Sequence, residues 1–480
     1  MQFSKIPNTI NYNNLVNHKN KSFSPNDYLT IKIKCNYEYL ENLISTITYG
    51  KEVGSFNYIE TSKIKFIRTK CLQDNSILLN EKEEININPK SFKNFNLKKG
   101  DILLVKDSNI GEVCYLNEDL PNHSISSGIV KINLNTKIDK FYILGIMKSS
   151  FFKEQIDLMT PKGTTIRHSK DNFKYTKIPI PNDNIIKKIS ILTQSLIEKE
   201  IELKRKFNLI NKTIENELKN NQIKRQYSYS MPTYQDIKEH NRLDTGLYTK
   251  EFKTLEFLIK NYKNGFYNLS ERDLKSGATP KENERIFNYG DINWITPTNI
   301  TDTGVMNIMP KISIKNKKFN IIKNCILFIN RTSKGTKGEY VGISYFYDYN
   351  KLGKGQHNQG LYRLENKSKE ELLYIASYFN SELVRKLCSN ISMGSKMKEM
   401  KSMDFEKLPI PLFNKNMQKK IGILYYNPND KYLEHLKKFN IKNFNKIDLE
   451  VNKYSGILDL NLQIQMIRNI IDKEINYMIN

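Results

Sequence analysis

One set of motifs occurs twice in this chain, in the same order and roughly 230 residues apart. The first copy contains residues 99–106, 161–167 and 178–181, and the second contains residues 323–331, 393–398 and 408–411. The offset is 324 − 100 = 224 for the first motif, 394 − 163 = 231 for the second and 408 − 178 = 230 for the third. Offsets that change so little over this length predict a duplicated domain, and a repeat constrains the architecture before any other signal does.

The chain carries a net charge of +25, from 76 Lys and Arg residues against 51 Asp and Glu residues. This excess favours a polyanionic ligand, because Lys and Arg release counterions from phosphates when they bind nucleic acid. A genome rich in A and T would also raise the Lys, Asn and Ile content, so the charge gains weight only together with the duplication. With 480 residues, 39% of them hydrophobic, the chain has room for two or three globular domains.

The cysteines and the N-terminus favour a protein of the cytoplasm. The five cysteines are scattered, odd in number and never spaced as C-x-x-C, which is typical of reduced thiols and gives no zinc site. The N-terminus lacks the apolar segment of a signal peptide, and no run approaches the roughly 18 apolar residues of a membrane span. We therefore expect a cytoplasmic protein that holds no metal and does not enter a membrane.

Each copy of the repeat mixes strand and helix patterns. Short apolar runs typical of buried strands, with their hairpin partners, are predicted at 102–105 with 111–115 and at 326–329 with 339–343. Apolar residues at helical spacing follow in 141–159 and 372–387. The Pro-x-Pro segments then end each copy, because proline interrupts regular structure. Each copy therefore predicts one mixed α/β lobe.

A long helix is predicted after the first copy. Residues 184–219 contain no Gly or Pro, and their apolar residues follow a heptad-like stripe with one irregularity near Lys199. Such a stripe needs a partner, and residues 457–479 offer one with apolar residues at helical spacing. The helix after the second copy, by contrast, breaks at Asn427 and Pro428.

Together these patterns predict an α+β fold, in which two similar mixed α/β lobes are separated by long helices that form a coiled-coil-like spacer. The predicted divisions are 1–182 for the first lobe, 183–220 for the central spacer helix, 221–260 for a linker and a leading helix, 261–412 for the second lobe and 413–480 for a C-terminal helical region.

Several segments together carry a family resemblance. They are residues 99–103, 178–181, 187–192, 276–281, 292–300, 408–411 and 418–424. In this order, with the duplication and the helical spacer, the arrangement resembles the specificity subunit of type I restriction–modification systems. The resemblance covers nearly the whole chain, and the order of the motifs is more specific than any single motif.

The resemblance implies two target recognition domains, each of which reads one half of a split sequence in double-stranded DNA. It implies that the helices fix the gap between the half-sites and hold two methyltransferase subunits, which a restriction and translocation subunit joins. It also implies that the chain directs adenine methylation and restriction without catalysing either. S-adenosylmethionine, ATP and Mg are therefore expected only on the partner subunits.

Candidate DNA contacts lie in loops and strand ends where glycines, hydroxyls and cations occur together. Glycine lets the backbone approach phosphates, and these side chains donate to phosphates or to base edges. The candidates are Lys106, Lys162, Thr164, Thr165 and Arg167 in the first lobe, and Thr279, Lys281, Arg331, Lys334, Lys337, Ser395, Lys396 and Lys398 in the second. Lys106 and Arg331 are predicted to occupy equivalent places, and Arg331 could contact a guanine through two hydrogen bonds. The alternatives are surface turns with solvated charges and, at the strand ends, structural ion pairs.

Motifs of catalysis are missing from the sequence. It contains no Gly-rich phosphate loop, no amino-methyltransferase motif and no ligand spacing among its histidines. Residues 399–401 near Asp404 are interpreted as solvated charge rather than as a nuclease fragment, and Trp294 is interpreted as a core residue. Two other functions stay open. One is a stand-alone nucleic-acid-binding protein or nuclease with an unrecognised site, and the other is an RNA-binding or scaffolding protein.

Overall fold

A computed structural model describes residues 3–5, 9–17, 28, 30–160, 167–224, 226–240, 242–281, 285–306, 309–314, 320–333, 340–437 and 443–479. The chain divides into two compact units. The first unit comprises residues 1–202, 430–453 and 462–480, and the second comprises residues 203–429 and 454–461. The first lobe thus belongs to the first unit, and the second lobe belongs to the second.

Short strands and helices of very different lengths alternate along the chain. The strands are β1 Ser4–Lys5, β2 Thr30–Ile31, β3 Asn36–Tyr39, β4 Ile44–Tyr49, β5 Lys65–Ile67, β6 Ile85–Asn86, β7 Ile102–Val105, β8 Val113–Tyr115, β9 His123–Ile125, β10 Ile129–Leu134, β11 Lys177–Ile180, β12 Phe266–Asn268, β13 Leu274–Ser276, β14 Arg285–Ile295, β15 Lys311–Ile314, β16 Cys325–Ile329, β17 Arg331–Thr332, β18 Ser344–Tyr347, β19 Gly355–His357, β20 Leu361–Leu364, β21 Lys398–Glu399 and β22 Pro409–Pro411. The helices are α1 Tyr12–Asn17, α2 Lys140–Met147, α3 Ser150–Met159, α4 Asp183–Asn220, α5 Tyr234–His240, α6 Lys250–Lys260, α7 Tyr349–Leu352, α8 Lys369–Asn380, α9 Glu382–Ile391, α10 Ser402–Phe405, α11 Lys415–Tyr425, α12 Asp430–Lys437, α13 Phe444–Tyr454 and α14 Ile457–Ile479.

The two lobes share one sheet topology. Each has a four-stranded sheet, ordered β4-β10-β7-β8 in the first lobe and β13-β20-β16-β18 in the second. Each also has a three-stranded sheet with one parallel pair, ordered β6-β5-β9 and β15-β14-β19. The apolar strands β7 and β16 are buried throughout, as their uninterrupted hydrophobic runs predict. The structure therefore confirms two similar lobes of mixed α/β structure.

Matching hydrogen bonds hold the Pro-x-Pro segments in both lobes. The Tyr142 hydroxyl donates to the Pro179 carbonyl at 2.7 Å, and the Tyr374 hydroxyl donates to the Pro411 carbonyl at 2.7 Å. Both pairs are offset by the same interval, 374 − 142 = 232 and 411 − 179 = 232. The segments lie in β11 and β22, which pair with β3 and β12 in two-stranded sheets. The prediction that they end regular structure is wrong, because an edge strand tolerates the missing N–H of proline.

Two further details differ from the sequence prediction. The hairpin partner of β16 is β18, Ser344–Tyr347, rather than residues 339–343, because Gly342 turns the chain there with φ +84°. Each apolar helical stretch is a pair of helices, α2 with α3 and α8 with α9. The hydroxyls of Ser149 and Ser381 donate at 2.6 Å to carbonyls of the preceding helices. Such local bonds compete with the helical pattern and separate the two helices of each pair.

The central helix and the C-terminal helix pair within the first unit. Helix α4 spans Asp183–Asn220, one residue beyond the segment 184–219 of the apolar stripe at each end, and α14 spans the predicted Ile457–Ile479. Lys188 contacts Glu474 at 2.7 Å and Lys199 donates to Gln463 at 2.8 Å, so the helices run antiparallel. The apolar residues of the two stripes are buried, among them Ile189, Leu192, Leu196, Ile464, Ile467, Ile471 and Ile475. The predicted pairing of these helices is confirmed.

The irregularity in the stripe at Lys199 marks a buried ion pair. The Lys199 side chain is fully buried, and its ammonium lies 2.7 Å from Asp448 Oδ1. It also donates to Asn452 Oδ1 at 2.6 Å and lies 4.8 Å from the centre of the Tyr432 ring. Burial lowers the pKa of Lys199, although the charge of Asp448 acts in the opposite direction. A charge with several partners therefore takes the place of an apolar residue in the stripe.

The predicted break at Asn427 and Pro428 separates α11 from α12 along the chain. In the second unit, the Asp459 carboxylate holds this turn by accepting hydrogen bonds from the backbone N–H of Asn427 at 2.6 Å and of Gly456 at 3.1 Å. Burial raises the pKa of Asp459 to about 6. Within the described ranges, no helix combines the length and the apolar character that crossing a bilayer requires.

Candidate nucleic-acid interface

The predicted contacts that the structure describes gather at one end of the four-stranded sheet of each lobe, called the sheet end here. In the first lobe, the sheet end consists of the segments that follow β4 and β7, the segment that precedes β10, and a segment of the chain after α3. The segments are 50–52, 106–109, 126–128 and 167–171 in the first lobe and 277–281, 330–333, 358–360 and 393–400 in the second. Segments far apart in sequence thus become neighbours in each lobe.

Glycines let these segments approach one another. A Cβ on Gly50 would lie 2.0 Å from the carbonyl oxygen of Ser126, and a Cβ on Gly277 would lie 2.2 Å from that of Asn358. The glycines are equivalent in the two lobes, with offsets of 277 − 50 = 227 and 358 − 126 = 232. Only a residue without a side chain fits at such a backbone contact, so both lobes need glycine here.

The backbone register shows which side chains are equivalent. The N–H of Lys106 donates to the Gly128 carbonyl at 2.8 Å, and the N–H of Asn330 donates to the Gly360 carbonyl at 3.0 Å. Asn330 therefore corresponds to Lys106. The prediction that Arg331 is equivalent to Lys106 is wrong by one residue, because the strand ends Val105 and Ile329 occupy the same place in the two ladders and are 329 − 105 = 224 positions apart.

Arg331 instead corresponds to Asp107, and the two positions carry opposite charges. In the first lobe, Asp107 forms a β-bridge with His168, and its carboxylate lies 2.8 Å from His168 Nδ1. In the second lobe, Arg331 pairs with Glu399 in the two-stranded β17–β21 ladder. The same backbone frame thus presents an acid and a histidine in one lobe and a guanidinium and an acid in the other.

Of the first-lobe candidates, the structure describes Lys106 and Arg167. Lys106 lies 3.1 Å from Asp107, and its side chain is 19% exposed. The guanidinium of Arg167 forms an ion pair with Asp157 and is one-third exposed. Lys106 thus has a carboxylate beside it, as the alternative of a structural ion pair at the strand end predicts, and Arg167 is also paired rather than only solvated. Lys162, Thr164 and Thr165 lie outside the described residues.

The second-lobe candidates are more exposed. Thr279, Lys281, Ser395 and Lys396 are exposed, and Arg331 and Lys398 are half-buried. Lys398 pairs with Thr332 across the β17–β21 ladder, which brings it beside Arg331. Gly394 starts this loop with φ +106°, a conformation that other residues rarely adopt. Lys334 and Lys337 lie outside the described residues.

The sheet end of the first lobe contains a polar group that was not predicted from the sequence. The Tyr49 hydroxyl donates to Asp171 Oδ2 at 2.8 Å, and the Lys174 ammonium lies 2.7 Å from the same oxygen. Burial and the neighbouring Asp171 raise the pKa of Tyr49. Tyr49 is 42% exposed, so its ring is available to a ligand. No sequence signal joins these residues, because Tyr49 and Asp171 are 171 − 49 = 122 positions apart.

Two interpretations outside the sheet ends have clear outcomes. Trp294 is 4% exposed and packs with Ile292 and Ile312, so its assignment to the core is confirmed. Asp404 is not solvated as predicted, because it is 2% exposed and accepts a hydrogen bond from Arg242 Nη1 at 3.0 Å. Among the described residues, no group of three or more His, Cys, Asp or Glu side chains is arranged to hold a metal ion.

A family model described as the type I restriction modification DNA specificity domain matches the chain twice, over residues 44–220 and 269–451. Each match contains one of the two sheet ends. A search of the curated proteins gives no match.

Among solved structures, the S subunit of a type I restriction–modification system from M. genitalium aligns over 93% of this chain and 96% of its own, with 14% identity and a TM-score of 0.39. The HsdS subunit from Thermoanaerobacter tengcongensis aligns over 92% and 96%, with 11% identity and a TM-score of 0.28. A structure of complex assembly and conformational transition in the type I R-M system aligns over 93% and 98%, with 12% identity and a TM-score of 0.28.

Proposed function

The chain belongs to the family of type I restriction modification DNA specificity domains, and on this premise we propose that its two lobes read the two halves of one asymmetric, gapped DNA site. It is a DNA specificity subunit, which works with DNA in a multi-subunit complex. The proposal goes further, because it assigns one half-site to the sheet end of each lobe.

The observation that supports this assignment is the exchange of side chains on a common frame. Lys106 is replaced by Asn330 and Asp107 is replaced by Arg331 at positions that the backbone hydrogen bonds make equivalent. Base edges in the major groove differ in their donors and acceptors, and an arginine and a carboxylate select different bases. Equal frames with unequal side chains are what an asymmetric two-part site requires.

The partners follow from the same proposal. Two methyltransferase subunits bind the helices and methylate adenine in each half-site, and a restriction and translocation subunit joins them in the cytoplasm. S-adenosylmethionine, ATP and Mg bind to those subunits, while this chain contributes recognition and no catalysis. The missing catalytic motifs in the sequence support this division of roles.

Arg331→Ala tests the proposal. The substitution is expected to reduce discrimination at one or two base pairs of the second half-site by about 10–100-fold, because a good two-bond contact contributes about 1–3 kcal/mol of discrimination. Discrimination at the first half-site should not change. The measurement is the methylation rate of the assembled complex on duplexes with single base changes in each half-site.

Arg272→Ala is the matched control. Arg272 precedes β13, at the opposite end of this strand from Gly277, and is exposed. It should leave the discrimination at both half-sites unchanged. A uniform loss of activity on all duplexes with Arg331→Ala, or an equal effect on both half-sites, would contradict the assignment.

A further inference from the structure

One loop of the first lobe is held by a carboxylate on the central helix. Glu200 of α4 is 8% exposed. Its carboxylate accepts hydrogen bonds from the backbone N–H of Ile77 at 3.0 Å and of Leu78 at 3.3 Å, and from the Ser76 hydroxyl at 2.7 Å. Three donors on one buried carboxylate fix the position of this loop relative to the helix.

An arginine on the C-terminal helix holds the same loop from another side. The Arg468 guanidinium of α14 donates to the Asn75 carbonyl at 2.8 Å and lies 3.4 Å from the Asp74 carbonyl. It also donates to Glu200 Oε1 at 2.9 Å. Glu200 and Arg468 therefore form one unit, the clamp, which holds residues 74–78 against α4 and α14.

The clamped loop is joined firmly to the core of the first lobe. The N–H of Tyr115 in β8 donates to the Ile77 carbonyl at 2.8 Å. The buried Lys148 ammonium donates to the carbonyls of Gln73 and of Val113, the latter at 3.1 Å. Because β8 belongs to the four-stranded sheet, the orientation of this loop determines the orientation of the sheet end.

The second lobe holds its corresponding loop by other means. The Tyr425 hydroxyl donates to the Gly304 carbonyl at 3.0 Å, and the Asn461 side-chain amide donates to the Met306 carbonyl at 3.0 Å. The position that the repeat interval places opposite Glu200 holds Tyr432, from 200 + 232 = 432. The charged clamp is thus a feature of the first lobe in the described residues.

We propose that the Glu200–Arg468 clamp fixes the orientation of the first lobe on its helices and thereby selects the length of the gap between the half-sites. This inference rests on the proposed function. Changing the gap by one base pair moves a half-site by about 3.4 Å and rotates it by about 35°, since B-DNA turns once in about 10–10.5 base pairs. The clamp adds charge-assisted hydrogen bonds to the packing of the lobe on its helices, so the lobe should follow this change less readily with the clamp than without it.

Arg468→Ala in the assembled methyltransferase complex tests the inference. The duplexes carry the two half-sites with the native gap and with gaps one base pair shorter and longer. The wild-type complex should strongly prefer the native gap. Arg468→Ala should lower this preference at least 10-fold by raising the rate on the altered gaps. Glu200→Gln, which removes the charge but keeps one acceptor oxygen, should act in the same direction with a smaller effect.

Lys188→Ala is the matched control. The Lys188–Glu474 contact joins the same two helices, and it involves neither Glu200, Arg468 nor residues 74–78. This variant should keep the wild-type gap preference. The inference is overturned if Arg468→Ala methylates with unchanged gap preference, if it loses activity equally at all gaps, or if Lys188→Ala relaxes the gap as much. Failure of the wild-type complex to methylate any two-part site would overturn the proposed function itself.

Discussion

At the scale of single residues, the frame of the sheet end depends on glycine, and the proposed function assigns the specificity to the side chains beside it. Gly50 and Gly277 allow the backbone contacts that both lobes share. The sequence identified the loops that carry the candidate side chains. The equivalence of Asn330 with Lys106 follows from the offset of the first motif, since 106 + 224 = 330, whereas matching Arg331 with Lys106 requires an offset of 225.

Gly50→Ala should destabilise the first lobe by about 1–3 kcal/mol, since its Cβ would overlap a backbone carbonyl that cannot move alone. Gly54→Ala in the same loop is the control. Its Cβ would meet the ring of Phe56, which is 88% exposed and free to rotate away. Thermal unfolding measures both effects. Equal midpoints for the two variants would contradict the close approach at Gly50.

His357 should make the second lobe less stable in mild acid. Burial lowers its pKa to about 4 from a usual value near 6.5. Between these pH values the unfolded chain binds a proton at this histidine that the folded chain does not bind. The free energy of unfolding therefore decreases as the pH falls from 6.5 to 4. The loss is on the order of 3 kcal/mol, at about 1.4 kcal/mol per pKa unit.

The test compares the thermal midpoints of wild type and His357→Gln from pH 7 to pH 4. The variant should lose less stability than wild type over this range. The comparison also cancels the contribution of Asp459, whose raised pKa has the opposite sign and favours folding at lower pH. Parallel curves for the two proteins would show that His357 does not titrate as proposed.

At the scale of elements, the long helices were the most predictable part and their polar contacts were the least. The heptad-like stripe predicted α4 to within one residue at each end and identified α14 as its partner. The serine breaks within the helix pairs escaped prediction, because a serine hydroxyl bonded to the preceding turn leaves no mark in hydrophobic periodicity. The irregularity at Lys199 was visible, but its partner Asp448 lies 448 − 199 = 249 residues away.

Lys199→Met should destabilise the first unit by about 3–5 kcal/mol, because it leaves Asp448 buried without its countercharge. Adding Asp448→Asn should restore part of this loss, since the remaining amide carries no charge. Lys188→Ala, which removes a more exposed ion pair between the same helices, should cost less than about 1 kcal/mol. Differential scanning calorimetry measures the unfolding midpoints of these variants. A midpoint for Lys199→Met as high as that for Lys188→Ala would refute this account.

At the scale of the whole molecule, the duplication was predictable because near-constant offsets need only the sequence. The family membership followed from the order of motifs, and the family matches cover both copies. Which bases each lobe reads was not predictable, because readout depends on side-chain geometry and on DNA shape. The polar group at Tyr49 was not predictable either, since it is assembled from residues that only the fold brings together.

Exchange of one lobe should change one half-site only. Residues 266–411 run from β12 to β22, and these two strands pair with each other, so the exchanged segment carries both strands that close the lobe. With the matching segment of a family member of different specificity, the second half-site should change while the first half-site and the gap stay the same. Sequencing of methylated DNA measures this. A change in both half-sites would contradict separate reading by the lobes.

The central claim is that this chain directs methylation to one two-part site. It is tested most directly by a genome-wide map of N6-methyladenine in the native host with and without the gene, with the partner methyltransferase expressed in both strains. The account predicts that one asymmetric, gapped, two-part motif loses its methylation when the gene is deleted. An unchanged map, or the loss of a single uninterrupted motif, would contradict it.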